Sequence, residues 1–402
     1  MIEYRTAAFW RVTLALCLGS FMIFANLYVP QPLLPMLGSS FGVSTLMAGW
    51  SLTIGTLTLG LSLLFYGSLS DSVGRRWPML ISMTGATLIT LMLGFIHHYP
   101  SLLLLRALQG FCLGGLPAIA IAYMGDEFSP TALTAAVGFY ISANTLGGIG
   151  GRLIGGFVGE SLGWAWAFRV MAMISIVCMV IFVSLLPKSQ HFKAQPLRMK
   201  VMARNLLGHL SNPVLVAAYL IGGFNFFIFI NQYSYVTFLL SGPPHQLPAS
   251  LIGLLFLTYL SGTLASALSG RIARYLPQPW VMVLGILVFI AGSLVTLLPW
   301  LPTIVLGFLL NAFGFFLTHS TNSGWVSRQA PHSRASASSL YLVFYYVGAS
   351  TGSLYLDPFW HWAGWDGVIG ASLLVLAGTL SLSLWLAWSS RPDIQEARAL
   401  HR

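Results

Sequence analysis

The sequence predicts an all-α membrane protein of twelve transmembrane helices arranged as two pseudo-symmetric six-helix bundles. Three observations carry that expectation. Only 7% of the 402 residues are charged and 56% are apolar, against about a quarter charged in soluble domains, so too little polar surface exists to wet a particle of this length. The apolar runs are long and lack strand-like alternation, and lipid demands backbone groups satisfied within the segment, which selects helices. The two halves also repeat: Pro130 maps to Pro331, Tyr140 to Tyr341, Gly147 to Gly348 and Gly151 to Gly352 at one offset of 201 residues, the mark of a duplicated six-span unit.

Taken in order, the spans are expected at roughly 11–37, 46–69, 77–97, 100–125, 133–158, 164–186, 213–240, 249–271, 279–298, 302–325, 335–357 and 365–389. The first run continues well past a signal-peptide core and lacks a small-residue cleavage site, so it reads as an uncleaved span. The longest polar break, 188–212, is basic and divides an N-terminal bundle, 1–187, from a C-terminal bundle with a short tail, 213–402.

The net charge of +10 sits in short turns rather than in an aromatic-studded patch, which argues against a nucleic-acid partner. Arg75, Arg76, Lys188, Arg204, Arg271, Arg274, Arg328 and the basic residues of both termini fall on alternate turns, and the intervening turns carry no Lys or Arg. That bias predicts both termini in the cytoplasm. Cys17, Cys112 and Cys178 lie inside apolar runs without metal-ligand spacing, so no disulfide, metal or cofactor is expected. No facing carboxylate pair or Gly-rich phosphate loop is evident, which argues against an enzyme.

Charge is so scarce that the exceptions stand out. Gly67-Ser68-Leu69-Ser70-Asp71-Ser72-Val73-Gly74-Arg75-Arg76 places one acid and two arginines in a glycine-bounded turn between two spans. A positive-inside loop accounts for Arg75 and Arg76, but neither for Asp71 nor for the glycine spacing. In the fourth span Arg106, Gln109 and Gly110 share neighbouring helical positions. A guanidinium there either snorkels to the interface or faces a protein interior with a partner and a function. The fifth span carries Gly138, Gly147, Gly151, Arg152, Gly155 and Gly156. Spacing of four keeps Gly147, Gly151 and Gly155 on one face, where a neighbouring helix can come close.

Together these patterns resemble the major facilitator superfamily. The turn matches its loop between helices two and three, Arg106 its fourth-helix arginine, and the glycines the antiporter motif of its drug:proton branch. Arg152 stands where that motif has proline, so the fifth helix should be less kinked. Gly138 to Asn144, Gly151-Arg152-Leu153, Leu186 to Ser189 and Ser338 to Tyr341 look most like the YnfM-type inner-membrane transporters of bacteria.

The resemblance implies a monomeric secondary transporter of the bacterial inner membrane that works by alternating access, with protons and a small organic molecule as its partners in the lipid bilayer. It makes Gly67, Asp71, Gly74, Arg75 and Arg76 a conformational motif, with Asp71 latching onto the eleventh helix near Ser333. Arg106, Asp126, Glu127 and His319 are the proton-coupling candidates, energised by the proton gradient alone. Asp126 and Glu127 can attract Arg328 or stand as solvated end charges. His319 can carry a proton or simply hydrogen-bond a neighbouring helix. For the substrate, Asn26, Tyr28, Gln31, Gln109, Tyr123, Asn144, Asn225, Asn231, Tyr341 and Tyr345 are polar at suitable depth. About half of these are expected to pack helices instead. Amides and rings suit uncharged or delocalised molecules, so the expected activity is proton-coupled efflux of a drug, sugar or metabolite. The alternatives are a facilitator or symporter that imports a sugar, or an organic-anion exchanger using Arg106 and Arg152.

Overall fold

The computed structural model describes residues 1–192, 199–330 and 334–389. Residues 193–198 of the linker, 331–333 ahead of the eleventh helix and the C-terminal tail from 390 lie outside them. Helices dominate, and the only β pairing among the described residues is a single bridge between Ile2 and Phe128. In order they are α1 (Ala7–Phe41), α2 (Thr45–Val73), α3 (Arg76–Leu93), α4 (Tyr99–Glu127), α5 (Pro130–Leu162), α6 (Trp164–Leu185), α7 (Pro213–Ser241), α8 (Ala249–Ile272), α9 (Gln278–Val295) and α10 (Leu301–Gln329). Arg334–Ser389 follows and breaks at Ala363 and Gly364 into α11 and α12. Counting that break, twelve apolar helices stand among the described residues, and the short amphipathic helix Met199–Leu210 occupies the linker.

Local chemistry sets the boundaries. Thr6 and Ser44 cap α1 and α2, their hydroxyls accepting from the amides of Phe9 and Met47. Inside α1, Pro30 brings no N–H to continue the ladder, and the helix passes through a tight turn at Gln31–Leu33 before resuming. Gly74, at φ 99°, ends α2 in a conformation that a Cβ would strain.

The chain forms two compact units. Unit 1 comprises Met1–Arg198 with Val236–Phe256, so the end of α7, its following loop and the start of α8 pack with α1–α6. Unit 2 comprises Met199–Tyr235 and Leu257–Arg402. The same seam appears in each. In unit 1 a Cβ on Gly147, Gly151 or Gly155 of α5 would strike the carbonyls of Phe21, Ala25 and Val29 on α1. In unit 2 a Cβ on Gly348 or Gly352 of α11 would strike the carbonyls of Gly223 and Phe227 on α7. Small residues at four-residue spacing let the backbones touch, which is how helices associate where lipid supplies no hydrophobic drive. No non-helical residue interrupts α5, in keeping with arginine in place of proline at 152.

Candidate functional site

Arg106 is fully buried and reaches no interface. Its guanidinium spans three helices: Nε donates to the Ser51 carbonyl at 2.7 Å, Nη1 to the Asn26 carbonyl at 3.1 Å and Nη2 to the Leu27 carbonyl at 2.8 Å. Nη1 also donates to the Gln109 side chain. The reason is local. Residue 30, which would supply the amide for the Asn26 carbonyl four residues back, is proline, so the first stretch of α1 ends in the membrane with carbonyls lacking helical partners. A cation supplies donors to those carbonyls and also opposes the negative end of the helix dipole.

Around it lies a polar knot. Asn26 Nδ2 donates to Ser175 Oγ at 2.8 Å, Thr90 Oγ1 to Asn26 Oδ1 at 2.7 Å and Gln109 Nε2 to Thr90 Oγ1 at 2.6 Å. Five helices of unit 1 thus meet at one hydrogen-bonded core: α1, α2, α3, α4 and α6. The amides of Asn26 and Gln109, expected to face substrate, are engaged by protein.

Unit 2 holds a counterpart that the sequence reading missed. Asn311 Nδ2 donates to Gln232 Oε1 at 2.9 Å, and Gln232 Nε2 donates to Ser293 Oγ at 3.1 Å. Asn311 lies 202 residues beyond Gln109, and the same step carries Arg106 to Phe308. The Phe308 carbonyl accepts from Tyr233 OH at 3.2 Å, and that hydroxyl also meets Thr258 Oγ1 at 2.6 Å. At that step one amide of the knot is kept, Asn311 for Gln109, and Phe308 stands at the position of Arg106. Mid-span Gln232 and Asn311 were the available signal, since uncharged amides in lipid need partners.

Arg152 is buried in unit 1, where Nε donates to Gln31 Oε1 at 2.8 Å and Nη1 to the Gly148 carbonyl at 2.9 Å. Its guanidinium lies 4.0 Å from the ring centre of Tyr28 and 4.6 Å from that of Phe256. Two rings and a carbonyl-lined groove suit a delocalised, weakly hydrated cation. Of the motif glycines, Gly156 meets the Ala249 carbonyl of α8, whereas a Cβ on Gly138 would meet nothing within 4 Å.

The charged motif is less a free turn than a helix end. α2 runs through Asp71 to Val73, with Gly67 inside it. An acid in the last helical turn opposes the dipole, and Arg75 answers it: Nη1 pairs with Asp71 at 2.5 Å, while Nε donates to Asp126 Oδ2 at 2.9 Å. Burial disfavours the Arg75 charge, but Asp126 and Asp71 outweigh that, so its pKa stands above the ordinary guanidinium value. Arg76 donates to the Val183 carbonyl near the end of α6 at 3.2 Å. Glu127, nearly buried, accepts from Ser189 Oγ at 2.5 Å, from the amides of Gln190 and His191 at 2.7 and 3.0 Å, and faces His191 Nδ1 at 3.1 Å. Both Asp126 and Glu127 therefore have partners inside unit 1. The expected contact of Asp71 near Ser333 falls outside the described residues.

Among the remaining candidates, Tyr123 OH donates to the Pro187 carbonyl at 3.2 Å, and Asn144 accepts from Ser20. Asn225 accepts from Thr379 at 2.9 Å, and Asn231 donates to the Ala349 carbonyl of α11 at 2.9 Å. His319 Nδ1 meets Tyr341 OH at 2.9 Å. Its ring lies 4.6 Å from Tyr345, which stacks on Phe226 at 3.8 Å, and Phe315 stacks on Phe229 at 3.9 Å. His319 and Tyr345 are only partly buried, so unit 2 presents an imidazole and a phenol on an aromatic floor. A separate cavity of about 280 Å³ between α7 and α11 is apolar, lined by Leu220, Phe224, Phe227, Val343, Phe344 and Val347. None of the polar candidates lines it.

A twelve-helix membrane fold built from two like units, each with a glycine seam and a polar knot, is a repeat architecture used by membrane transporters. The chain belongs to the Major Facilitator Superfamily, whose family model matches residues 16–353. It is 37% identical over 401 residues to the uncharacterized MFS-type transporter YybF of Bacillus subtilis, covering all of this chain and 99% of that protein. It is 35% identical over 378 residues to the inner membrane transport protein YnfM of Escherichia coli, covering 94% and 91%. A D-xylose–proton symporter shares the fold with a TM-score of 0.72 at 14% identity, over 92% of this chain and 97% of that one.

Proposed function

We propose that the chain exports small uncharged or charge-delocalised organic molecules in exchange for protons, by alternating access in a bacterial inner membrane with both termini cytoplasmic. The observation that carries this reading is the aromatic floor of unit 2, where His319, held by the buried Tyr341, and Tyr345 stand beside Phe226 and Phe315. Stacked rings with an imidazole and phenols favour flat, neutral molecules over ions. An organic-anion site finds less support, because Arg106 donates to carbonyls and Gln109, while Arg152 donates to Gln31 and Gly148.

The test uses everted membrane vesicles energised to acidify their lumen, with a pH dye reporting as tetraphenylphosphonium, chloramphenicol, xylose and benzoate are added singly. Proton release with chloramphenicol supports the reading. If none releases protons while labelled chloramphenicol or xylose still equilibrates, the transporter is a facilitator.

Asp71→Asn is expected to insert normally and to lose about tenfold or more in turnover, since each 1.4 kcal/mol of bias between states is tenfold. Its ion pair with Arg75 is half exposed, so folding stability should move by only about 0.2–1 kcal/mol. Unchanged transport by Asp71→Asn in the same vesicles would remove the motif from the mechanism.

A further inference from the structure

We propose that Asp357 is a proton-binding site of this transporter, with Tyr235 setting its affinity and His361 exchanging its proton with water. The inference builds on the proton-coupled reading above and supplies a carboxylate that the motifs do not. The expected eleventh span ends at Asp357, but the helix continues past it to the break at Ala363, which carries the carboxylate onto α7. Tyr235 OH donates to Asp357 Oδ1 at 3.1 Å and to the Ser353 carbonyl at 3.3 Å. Oδ2 faces His361 Nε2 at 3.5 Å. The carboxylate is 14% exposed and the imidazole 60%, while Tyr235 is buried beneath Trp360. Tyr235 from α7 and His361 from its own helix are titratable groups that face Asp357 within unit 2. One turn back, the buried Ser353 hydroxyl has no hydrogen-bond partner.

This order, from wet imidazole to shielded carboxylate to buried phenol, is what proton uptake needs. The proton leaves Nε2 of His361 and binds Oδ2 of Asp357, across a gap that a side-chain adjustment or one water closes, and the imidazole regains a proton from solvent. The acid is then neutral, and the Tyr235 hydroxyl loses a charged acceptor. Hydrogen bonds to a carboxylate are about twice as strong as neutral ones, so the joint between α7 and α11 loosens at that point. Asn231 bridges the same two helices one turn away, by its bond to the Ala349 carbonyl. A proton on Asp357 therefore acts on the seam that holds the aromatic floor.

The test is infrared difference spectroscopy of the full chain in liposomes, titrated between acid and alkaline pH without substrate. Wild type should show a carboxylic-acid C=O band that Asp357→Asn lacks. In Tyr235→Phe the band should persist about one pH unit higher, a tenfold gain in proton affinity, because the donor that favours the charged form is gone. Absence of an Asp357-dependent band, or an unmoved midpoint in Tyr235→Phe, overturns the proposal. In the everted vesicles, loss of chloramphenicol-driven proton release in Asp357→Asn supports a coupling role, and retention overturns it. If wild type releases no protons with any of the four solutes while the band titrates as expected, the antiport reading fails and the proton site stands.

Discussion

Arg106→Ala is expected to abolish transport and to cost several kcal/mol of stability, read as an early thermal transition in detergent by fluorescence-detected size exclusion. The side chain donates to the carbonyls of Ser51, Asn26 and Leu27, and each buried carbonyl left without a donor costs about 1–3 kcal/mol. Arg106→Lys should recover only part of this, because an ammonium cannot reach three carbonyls on two helices in a planar fork. The cause assigned to the site, a helix end made by Pro30, has its own check. Pro30→Ala returns an amide opposite the Asn26 carbonyl, so Arg106→Lys with Pro30→Ala should melt later than Arg106→Lys alone. A wild-type melting curve for Arg106→Ala would sink the capping account, whatever the transport result.

Gly151→Leu should prevent assembly of unit 1. A Cβ at that position already lands on the Ala25 carbonyl, and its atoms are backbone and cannot turn aside. Overpacking in a tight core costs about 1–3 kcal/mol even when side chains can yield, so the larger residue should leave little folded protein in the membrane. Gly151→Ala should lower the thermal midpoint measurably while leaving some folded protein. Gly138→Ala is the control, because nothing lies within 4 Å of its added atom, and it should stay within about 0.5 kcal/mol of wild type. Equal expression and melting of Gly151→Leu and wild type would show that the α1–α5 seam is not what holds the unit together.

The helices were readable because lipid makes composition nearly sufficient: long apolar runs became helices, and the repeat at 201 residues became a repeated glycine seam. Helix ends were less readable. α2 runs on through Asp71, and α11 runs on to the break at Ala363 and Gly364 rather than ending at Asp357, because caps and partners decide such ends. The sequence marked Arg106 and Arg152 as costly residues needing partners. It could not name those partners, since backbone carbonyls carry no residue signature. Pro30 was the one legible hint, and its meaning depends on which helix passes beside it. Thr90, Ser293, Gln232 and Asn311 went unread because a small polar residue in a span looks alike whether it faces a neighbour or a cavity. For the same reason Asn26, Gln31 and Gln109 looked like substrate contacts and are found bonded to arginine or threonine.

The start of α8 lies in unit 1, with Ala249 against Gly156 and Phe256 under Arg152. The covalent midpoint of the chain is therefore not the seam along which it can be taken apart. A fragment ending in the linker would lack Phe256 over Arg152 and Ala249 against Gly156, and expressed alone it should be cleared faster by membrane proteases. Supplied with the second fragment in trans, it should regain its missing cover, so survival of the two pieces should depend on each other.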